Sequence, residues 1–384
     1  MHVLILGTRG IPSRHSGFET FAQDFALFLK ARGHDVTVYC QIQVGGERTA
    51  GEDAWNGIRR ILIPAGSGPG GTILFDWKAI RHSLGERGIV LTLGYNTACF
   101  NLLYRLKGMP NVMNMDGIEW KRDKWSLPAR IWFWINERVG ARIADHLVAD
   151  HPEIGLHISR HTAWNKISVI PYGSDPVTSA PLELIRNYSL NPKGYYLLIA
   201  RPEPENSILE IVRAFSQRRR GMPLVVLGDY KRDGTRYQKA VLNAAGSEVS
   251  FLGAIFDREI VKALRYYARA YFHGHRVGGT NPSLVESLAA GNAIIAHDNR
   301  FTRWVAGEGA RYFRSADDVD EILNFLNQAP ESLACMEAKS RYRYLEAFTQ
   351  DGILGAYEEL LLRFAAESPV TERKVLEQES VQGA

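Results

Sequence analysis

The stretch His273-Gly274-His275-Arg276-Val277-Gly278-Gly279-Thr280-Asn281-Pro282-Ser283-Leu284-Val285-Glu286-Ser287-Leu288-Ala289-Ala290-Gly291, with the apolar run Ala293-Ile294-Ile295-Ala296 behind it, decides the fold. It reads as loop, helix and buried strand. Thr280 or Asn281 can cap the helix, Pro282 suits its first position, and Leu284, Val285 and Leu288 form its apolar stripe. Gly291 supplies the stop, and the run beyond it has the unbroken hydrophobicity of a parallel strand covered on both faces. A helix begun in this way turns backbone N–H groups and the positive end of its dipole toward the preceding loop. Gly278 and Gly279 put no side chain in the way of an anion there. Glu286, one turn inside, can accept hydrogen bonds from vicinal hydroxyls. Diphosphate beside a diol describes a nucleotide, although a capped helix between strands also occurs in doubly wound domains with no ligand at that place.

Working outward, short apolar strands alternate with helical patterns along the whole chain, which is the mark of βαβ units. Strands are expected at residues 2–6, 35–40, 58–63, 89–93, 111–115, 146–149 and 167–171. A second series begins at 195–200 and continues at 223–228, 249–252, 270–273, 293–297 and 310–313. Between the first two strands, Phe18, Phe21, Ala22, Phe25, Phe28 and Leu29 fall on one helical face. Two series imply two doubly wound domains with a cleft between them, at residues 1–175 and 176–344. The hinge is expected between Pro171 and Pro192, closing helices at about 345–366 return to the first domain, and a polar tail at 367–384 reads as disordered.

A chain of 384 residues suits two such domains, and its 45% hydrophobic and 23% charged residues place it among ordinary soluble proteins. No apolar run approaches the roughly 20 residues that span a bilayer, and the opening Met-His-Val-Leu-Ile-Leu-Gly reads as a first strand, not a signal peptide. The expectation is a chain that works in the cytoplasm. Cys40, Cys99 and Cys335 are too few and too scattered for a disulfide framework or a zinc site, and read as packing residues. A formal charge of +4 without a clustered basic motif argues against a nucleic-acid partner.

Two further segments carry chemistry. Behind the first strand, Gly7-Thr8-Arg9-Gly10 and Ser16-Gly17-Phe18-Glu19 form a glycine-containing loop that can meet a phosphate or an acceptor at a helix start. A nicotinamide cofactor competes for that reading. The spacing is not G-x-G-x-x-G, however, and the second strand ends Val38-Tyr39-Cys40-Gln41 with no acid for a ribose. The second domain opens Tyr195-Tyr196-Leu197-Leu198-Ile199-Ala200-Arg201-Pro202-Glu203-Pro204-Glu205-Asn206. There Arg201 either matches a diphosphate bidentately or pairs with Glu203 or Glu205 at the surface.

Together these segments resemble the retaining GT-B glycosyltransferases of family four, most closely the bacterial rhamnosyltransferase branch with its DUF1972-type first domain. The resemblance rests on Ser16 to Glu19, Val169-Ile170-Pro171-Tyr172-Gly173-Ser174-Asp175, Ala200 to Asn206, Leu227-Gly228-Asp229, Leu252-Gly253, and Gly278 to Glu286. It implies a GT-B fold, a nucleotide-sugar donor, a saccharide acceptor carried by a polyprenyl diphosphate, and no metal or other cofactor. It assigns donor contacts to Gly17, Arg201, Gly228, Gly278, Gly279, Thr280, Asn281, Ser283 and Glu286, acceptor contacts to Glu19, Asp116 and Glu119, and catalytic roles to Asp116, Arg201 and His275. There are departures. Gly278 stands where the family has its first glutamate, Asn206 where it has a lysine, and Asp116 where a histidine is common. His273, His275 or Arg276 can replace the missing cation.

The leaving diphosphate needs its charge stabilised as it develops, and Arg201 with the helix start at Gly279 to Ser283 can do this without a metal. Asp116 either orients the acceptor hydroxyl or is a turn residue before Gly117. The acidic run Asp317-Asp318-Val319-Asp320 reads as a helix start, not a cation site. Residues 120–142 mix tryptophans with cations, which fits a helix lying on an anionic membrane. They fit equally a helix with Trp132 and Ile135 in the core. A nucleotide-sugar epimerase and an inactive nucleotide-sugar-binding relative remain the other readings of the same fold. The absence of a carboxylate at Gly278 favours a 6-deoxy donor, with dTDP-L-rhamnose implied by the branch.

Overall fold

The computed structural model describes residues 1–13, 17–46, 49–122 and 125–366. Ser16 of the glycine loop, Lys124 of the basic stretch and the expected tail at 367–384 lie outside the described residues. The chain divides into two compact units, one of Met1–Pro171 with the segment from Leu354, the other of Tyr172–Ile353.

The first unit carries β1 (His2–Leu6), α1 (Gly17–Ala31), β2 (Asp35–Gln43), β3 (Gly51–Trp55), β4 (Ile58–Ala65), α2 (Gly68–Ser83), β5 (Ile89–Leu93), α3 (Leu102–Lys107), β6 (Asn111–Asn114), α4 (Leu127–Ile143), β7 (His146–Ala149), α5 (Pro152–Ile158) and β8 (Ile167–Val169). Its sheet runs β3-β4-β2-β1-β5-β6-β7-β8. The order reverses between β1 and β5. Because successive strand residues point to opposite faces, Leu4 and Leu6 pack with Phe75, Ala79 and Ile80 of α2, while the other face is covered by α1 through Phe21, Phe25 and Leu29. β3 is the one strand that sequence periodicity missed. It pairs antiparallel to β4, with Asp53 opposite Arg60, and that pair closes at 2.5 Å. Cross-strand ion pairs rather than an apolar face hold this edge, so no hydrophobic alternation announces it.

The second unit carries α6 (Glu183–Arg186), β9 (Tyr196–Ile199), α7 (Ile208–Ser216), β10 (Leu224–Leu227), α8 (Arg236–Ala244), β11 (Val249–Gly253), α9 (Arg258–Tyr267), β12 (Ala270–His273), α10 (Pro282–Ala289), β13 (Ile294–His297), α11 (Arg300–Ala306), β14 (Arg311–Phe313), α12 (Ala316–Gln328) and α13 (Glu331–Ala347). Its strands are all parallel in the order β11-β10-β9-β12-β13-β14, which is a doubly wound sheet with its switch point between β9 and β12. Asp317 and Asp318 do open a helix, where Ser315 and Asp318 close a capping box, and Asp320 turns inward to Arg220 at 2.5 Å.

The closing helices differ from expectation. Tyr344 and Phe348 belong to the core of the second unit, where the Tyr344 hydroxyl donates to Ser174 O at 2.8 Å. Only from Leu354, within α14 (Gln350–Ala366), does the chain rejoin the first unit. There Tyr357 packs against Phe21 and Phe25, and Asn114 Nδ2 donates to its hydroxyl at 2.7 Å. Cys40 is buried, but Cys335 is exposed and so does not serve packing.

Candidate functional site

In the second unit, Arg201 follows β9, Gly228 follows β10, and the loop from Gly274 to Asn281 follows β12. These three strands are neighbours. Their carboxyl ends therefore bring the expected donor residues to the edge beside the switch point, where doubly wound domains bind ligands. Gly228 has φ 150°, and a Cβ there would lie 2.4 Å from Ala200 O, so glycine lets β9 and β10 end side by side.

The start of α10 is satisfied from within. Asn281 is its cap, and the side-chain oxygen accepts from Ser283 N at 2.9 Å. Leu284 N and Val285 N turn to Asn281 O. The Ser283 hydroxyl is held too, between Arg265 Nη2 at 2.9 Å and the Tyr271 hydroxyl at 2.8 Å. Ser283, expected at the donor, is thus spent on packing the helix. An anion here would meet the exposed Gly278, at φ 125°, and Gly279 ahead of the helix. Thr280 is buried.

Glu286 is 43% exposed at its side chain, and Arg265 Nη2 grips one of its oxygens at 2.5 Å. Arg265 is itself buried, with its carbonyl accepting from Asn292 Nδ2 at 2.7 Å. Sequence reading missed this arginine. Its one signal is a cation beside Ala263 and Leu264 on the buried face of the strongly amphipathic α9. The arrangement fixes the carboxylate while its second oxygen stays available to hydroxyls.

The missing cation is not replaced by Arg276, whose guanidinium is turned away to Ser207 Oγ at 2.8 Å and Glu210 at 2.5 Å. Asn206 is buried, and its amide donates to Arg201 O at 2.8 Å, so it shapes the loop instead of reaching outward. Arg201 is exposed and forms no ion pair with Glu203 or Glu205 among the described residues. His273 is buried with neither ring nitrogen bonded among the described residues. Burial, then the neighbouring His275 and His297, hold it far below the usual imidazole range. It is neutral and cannot neutralise a diphosphate. His275, half-buried, stacks on it with ring centroids 4.4 Å apart, and both line a narrow pocket with Gly279 and Asn281.

In the first unit the Asp116 loop follows β6. Asp116 has φ 50°, and its N–H donates to Asn114 Oδ1 at 2.8 Å. The buried Tyr95 hydroxyl pins the loop, donating to Gly117 O and accepting from Glu119 N at 2.9 Å. Glu119 is not open to an acceptor: Arg122 Nη1 occupies one carboxylate oxygen at 2.9 Å and Trp125 Nε1 the other at 2.8 Å. It organises the loop. Glu19 is buried in the first turn of α1, whose first residue Gly17 is exposed.

Helix α4 inverts the usual polarity. Asn136 and Glu137 are buried, Glu137 at 2% exposure, while Leu127 at 70%, Ile131 at 51%, Trp134 at 43% and Ile135 at 42% face out along one stripe. Ile135 is therefore not core, and the half-buried Trp132 donates its indole N–H to Asn96 O at 2.7 Å. Arg138 lies over the Trp134 ring at 3.8 Å. No helix among the described residues is long and apolar enough to cross a membrane.

Comparison with known proteins agrees with this architecture. The family described as a domain of unknown function, DUF1972, matches residues 1–175. No curated protein matches the chain. Among solved structures, sucrose-phosphate synthase from Thermosynechococcus elongatus superposes with a TM-score of 0.80 at 14% identity, covering 96% of this chain and 100% of that one. A glycosyltransferase from Rickettsia africae superposes at 0.72 and 16%, covering 96% and 99%. The Anabaena protein HepE in complex with UDP-glucose superposes at 0.73 and 13%, covering 94% and 100%. These likenesses establish the GT-B fold, with two Rossmann-like α/β domains.

Proposed function

We propose that this chain is a metal-independent retaining glycosyltransferase that moves a sugar from a nucleotide-sugar donor to a saccharide acceptor in surface polysaccharide assembly. The observation that carries the reading is the edge beside the β9/β12 switch point, where an Arg201 with no ion pair among the described residues, the open Gly278-Gly279 loop and an Arg265-oriented Glu286 belong to neighbouring elements. HepE, of the same fold, has been seen with UDP and with UDP-glucose. Glu286 takes the hydroxyl or hydroxyls of the nucleotide's pentose, and the glycine N–H groups take the diphosphate. The Arg201 guanidinium stabilises the charge that grows on the diphosphate as the sugar–oxygen bond breaks. The acceptor attacks on the face the diphosphate leaves, a departing phosphate oxygen takes its proton, and Asp116 orients it.

Gly278 leaves no carboxylate for a fully hydroxylated sugar. A donor lacking a hydroxyl therefore strands no buried charge, which favours dTDP-L-rhamnose. The outward apolar face of α4, with Arg138 and Arg142 farther along the helix, supports an acceptor presented on a polyprenyl diphosphate at the inner face of the membrane. A thermal-shift panel of dTDP-rhamnose, UDP-glucose, UDP-N-acetylglucosamine and GDP-mannose, followed by transfer assays, tests the reading. Stabilisation and acceptor-dependent transfer with dTDP-rhamnose are expected. Transfer only with UDP-glucose or GDP-mannose removes the rhamnosyl assignment, and conversion of the donor without an acceptor would make the protein an epimerase.

A further inference from the structure

We propose that Glu137, His157 and His161 form a binding site for one divalent transition-metal ion of the Zn²⁺ class, separate from the donor residues. Glu137 lies on α4, His157 on the last turn of α5, and His161 in the turn that follows. A ligand atom from each lies within 4.8 Å of the other two. Two imidazoles and one carboxylate are the donor set of Zn²⁺ and its neighbours, whereas Mg²⁺ and Ca²⁺ require oxygen ligands.

The group is already held in place by its surroundings. His157 Nε2 donates to Glu137 Oε1 at 2.9 Å, and Trp120 Nε1 donates to Glu137 Oε2 at 2.9 Å. Ligands around a tetrahedral Zn²⁺ lie about 3.3 Å apart, so His157 and Glu137 need separate by only a few tenths of an ångström once the shared proton is given up. The indole bond to the second oxygen then remains as the outer support that orients a ligating carboxylate. His161 is half-buried, which leaves water to complete the coordination shell.

One neighbour opposes the ion. Arg138 Nη1 stands 3.7 Å from Glu137 Oε1, and its charge sets affinity below that of a purely structural zinc site. A bound ion would clamp α4 to α5 and, through Trp120, tighten the loop that carries Asp116 and Glu119.

The test titrates Zn²⁺ into chelator-stripped full-length protein against a chromophoric competitor, with Co²⁺ absorption reporting the coordination geometry. One equivalent should bind at micromolar concentration, with the visible band of a four-coordinate nitrogen and oxygen site. His161→Ala, which leaves the Glu137–His157 bond intact, should weaken binding by at least about tenfold, and His157→Gln likewise. Arg138→Gln should strengthen it roughly threefold or more by removing the opposing charge. Circular dichroism and thermal melts establish that each variant folds. Failure of wild type to bind one equivalent below about 1 mM overturns the proposal. So does binding that survives both histidine substitutions in folded protein, because the ion would then sit on other histidines.

Discussion

Replacing Arg265 with Met tests whether Glu286 is a ligand in its own right or a ligand only because Arg265 aims it. The methionine keeps most of the buried stem and removes the guanidinium that holds Glu286 at 2.5 Å and Ser283 Oγ at 2.9 Å. The pair itself adds little stability, because Glu286 is 43% exposed and water screens it, so the effect should fall on binding instead. A charge-assisted hydrogen bond contributes about 1.5–3 kcal/mol against about 1 for a neutral one. Losing the charge on Glu286 should therefore cost about 0.5–2 kcal/mol per hydroxyl, or about 1–4 kcal/mol when two are held, which is roughly fivefold to 900-fold in Kd. UDP offers a ribose diol, whereas dTDP offers only the 3′-hydroxyl, for which about half that free energy is expected. Calorimetric titration of UDP and dTDP into wild type, Glu286→Gln, Arg265→Met and the double variant measures both effects. If Arg265 acts through Glu286, the double variant should be no weaker than the more affected single variant. Additive losses, or wild-type affinity in Arg265→Met, would refute the reasoning, and equal losses for the two nucleotides would remove the ribose from it.

Arg201→Ala should lower kcat more than it weakens donor binding, since its charge is needed most as the diphosphate leaves; initial rates over a range of donor concentrations check this. Charge removal at the membrane face should target Lys121, Arg138 and Arg142 rather than Arg122, which is engaged with Glu119. The triple Gln variant, and separately Trp134→Asp, should sediment less with anionic vesicles, and no sedimentation of wild type at low salt would make the α4 face something other than a membrane surface. Tyr357→Phe leaves the buried Asn114 amide without its acceptor and should cost about 1–3 kcal/mol, read as a lower urea midpoint at unchanged slope. Burial pushes the Asp76 carboxyl up to about 6, against the bond from Thr97 that lowers it. Because the folded state holds this proton longer than the unfolded chain, its contribution falls as pH rises from about 4 to 6 and is level above that. It is worth roughly 3 kcal/mol at most. Asp76→Asn should flatten that part of the stability profile, and an unchanged profile would place the titration elsewhere.

The parallel strands were legible because burial on both faces writes them as continuous apolar runs such as Ile294-Ile295-Ala296. β3 was not, since Glu52 and Asp53 pair with Arg59 and Arg60 across an exposed edge. The glycines of the α10 loop could be read from their spacing. The inward bonding of the Ser283 hydroxyl could not, because it depends on Tyr271 and Arg265, distant in sequence. Glu119 and Glu137 both lie close to tryptophans in the sequence, and nothing in that spacing tells them apart. Only the fold separates the one that ties its own loop from the one buried against His157.

The late return of the chain to its first domain has a consequence for synthesis. Phe21 and Phe25 leave the ribosome early, but Tyr357, which covers them, follows the entire second domain. At ordinary translation speed that gap is roughly 17 to 66 s. Through this interval the nascent first domain exposes an aromatic seam that only a chaperone or the tunnel vestibule can shelter. A gene fragment ending at residue 175, where the DUF1972 match stops, would expose that seam permanently. Accumulation of such a fragment in inclusion bodies, and its rescue by a co-expressed peptide spanning residues 350–366, would be the cellular signature of this chain order.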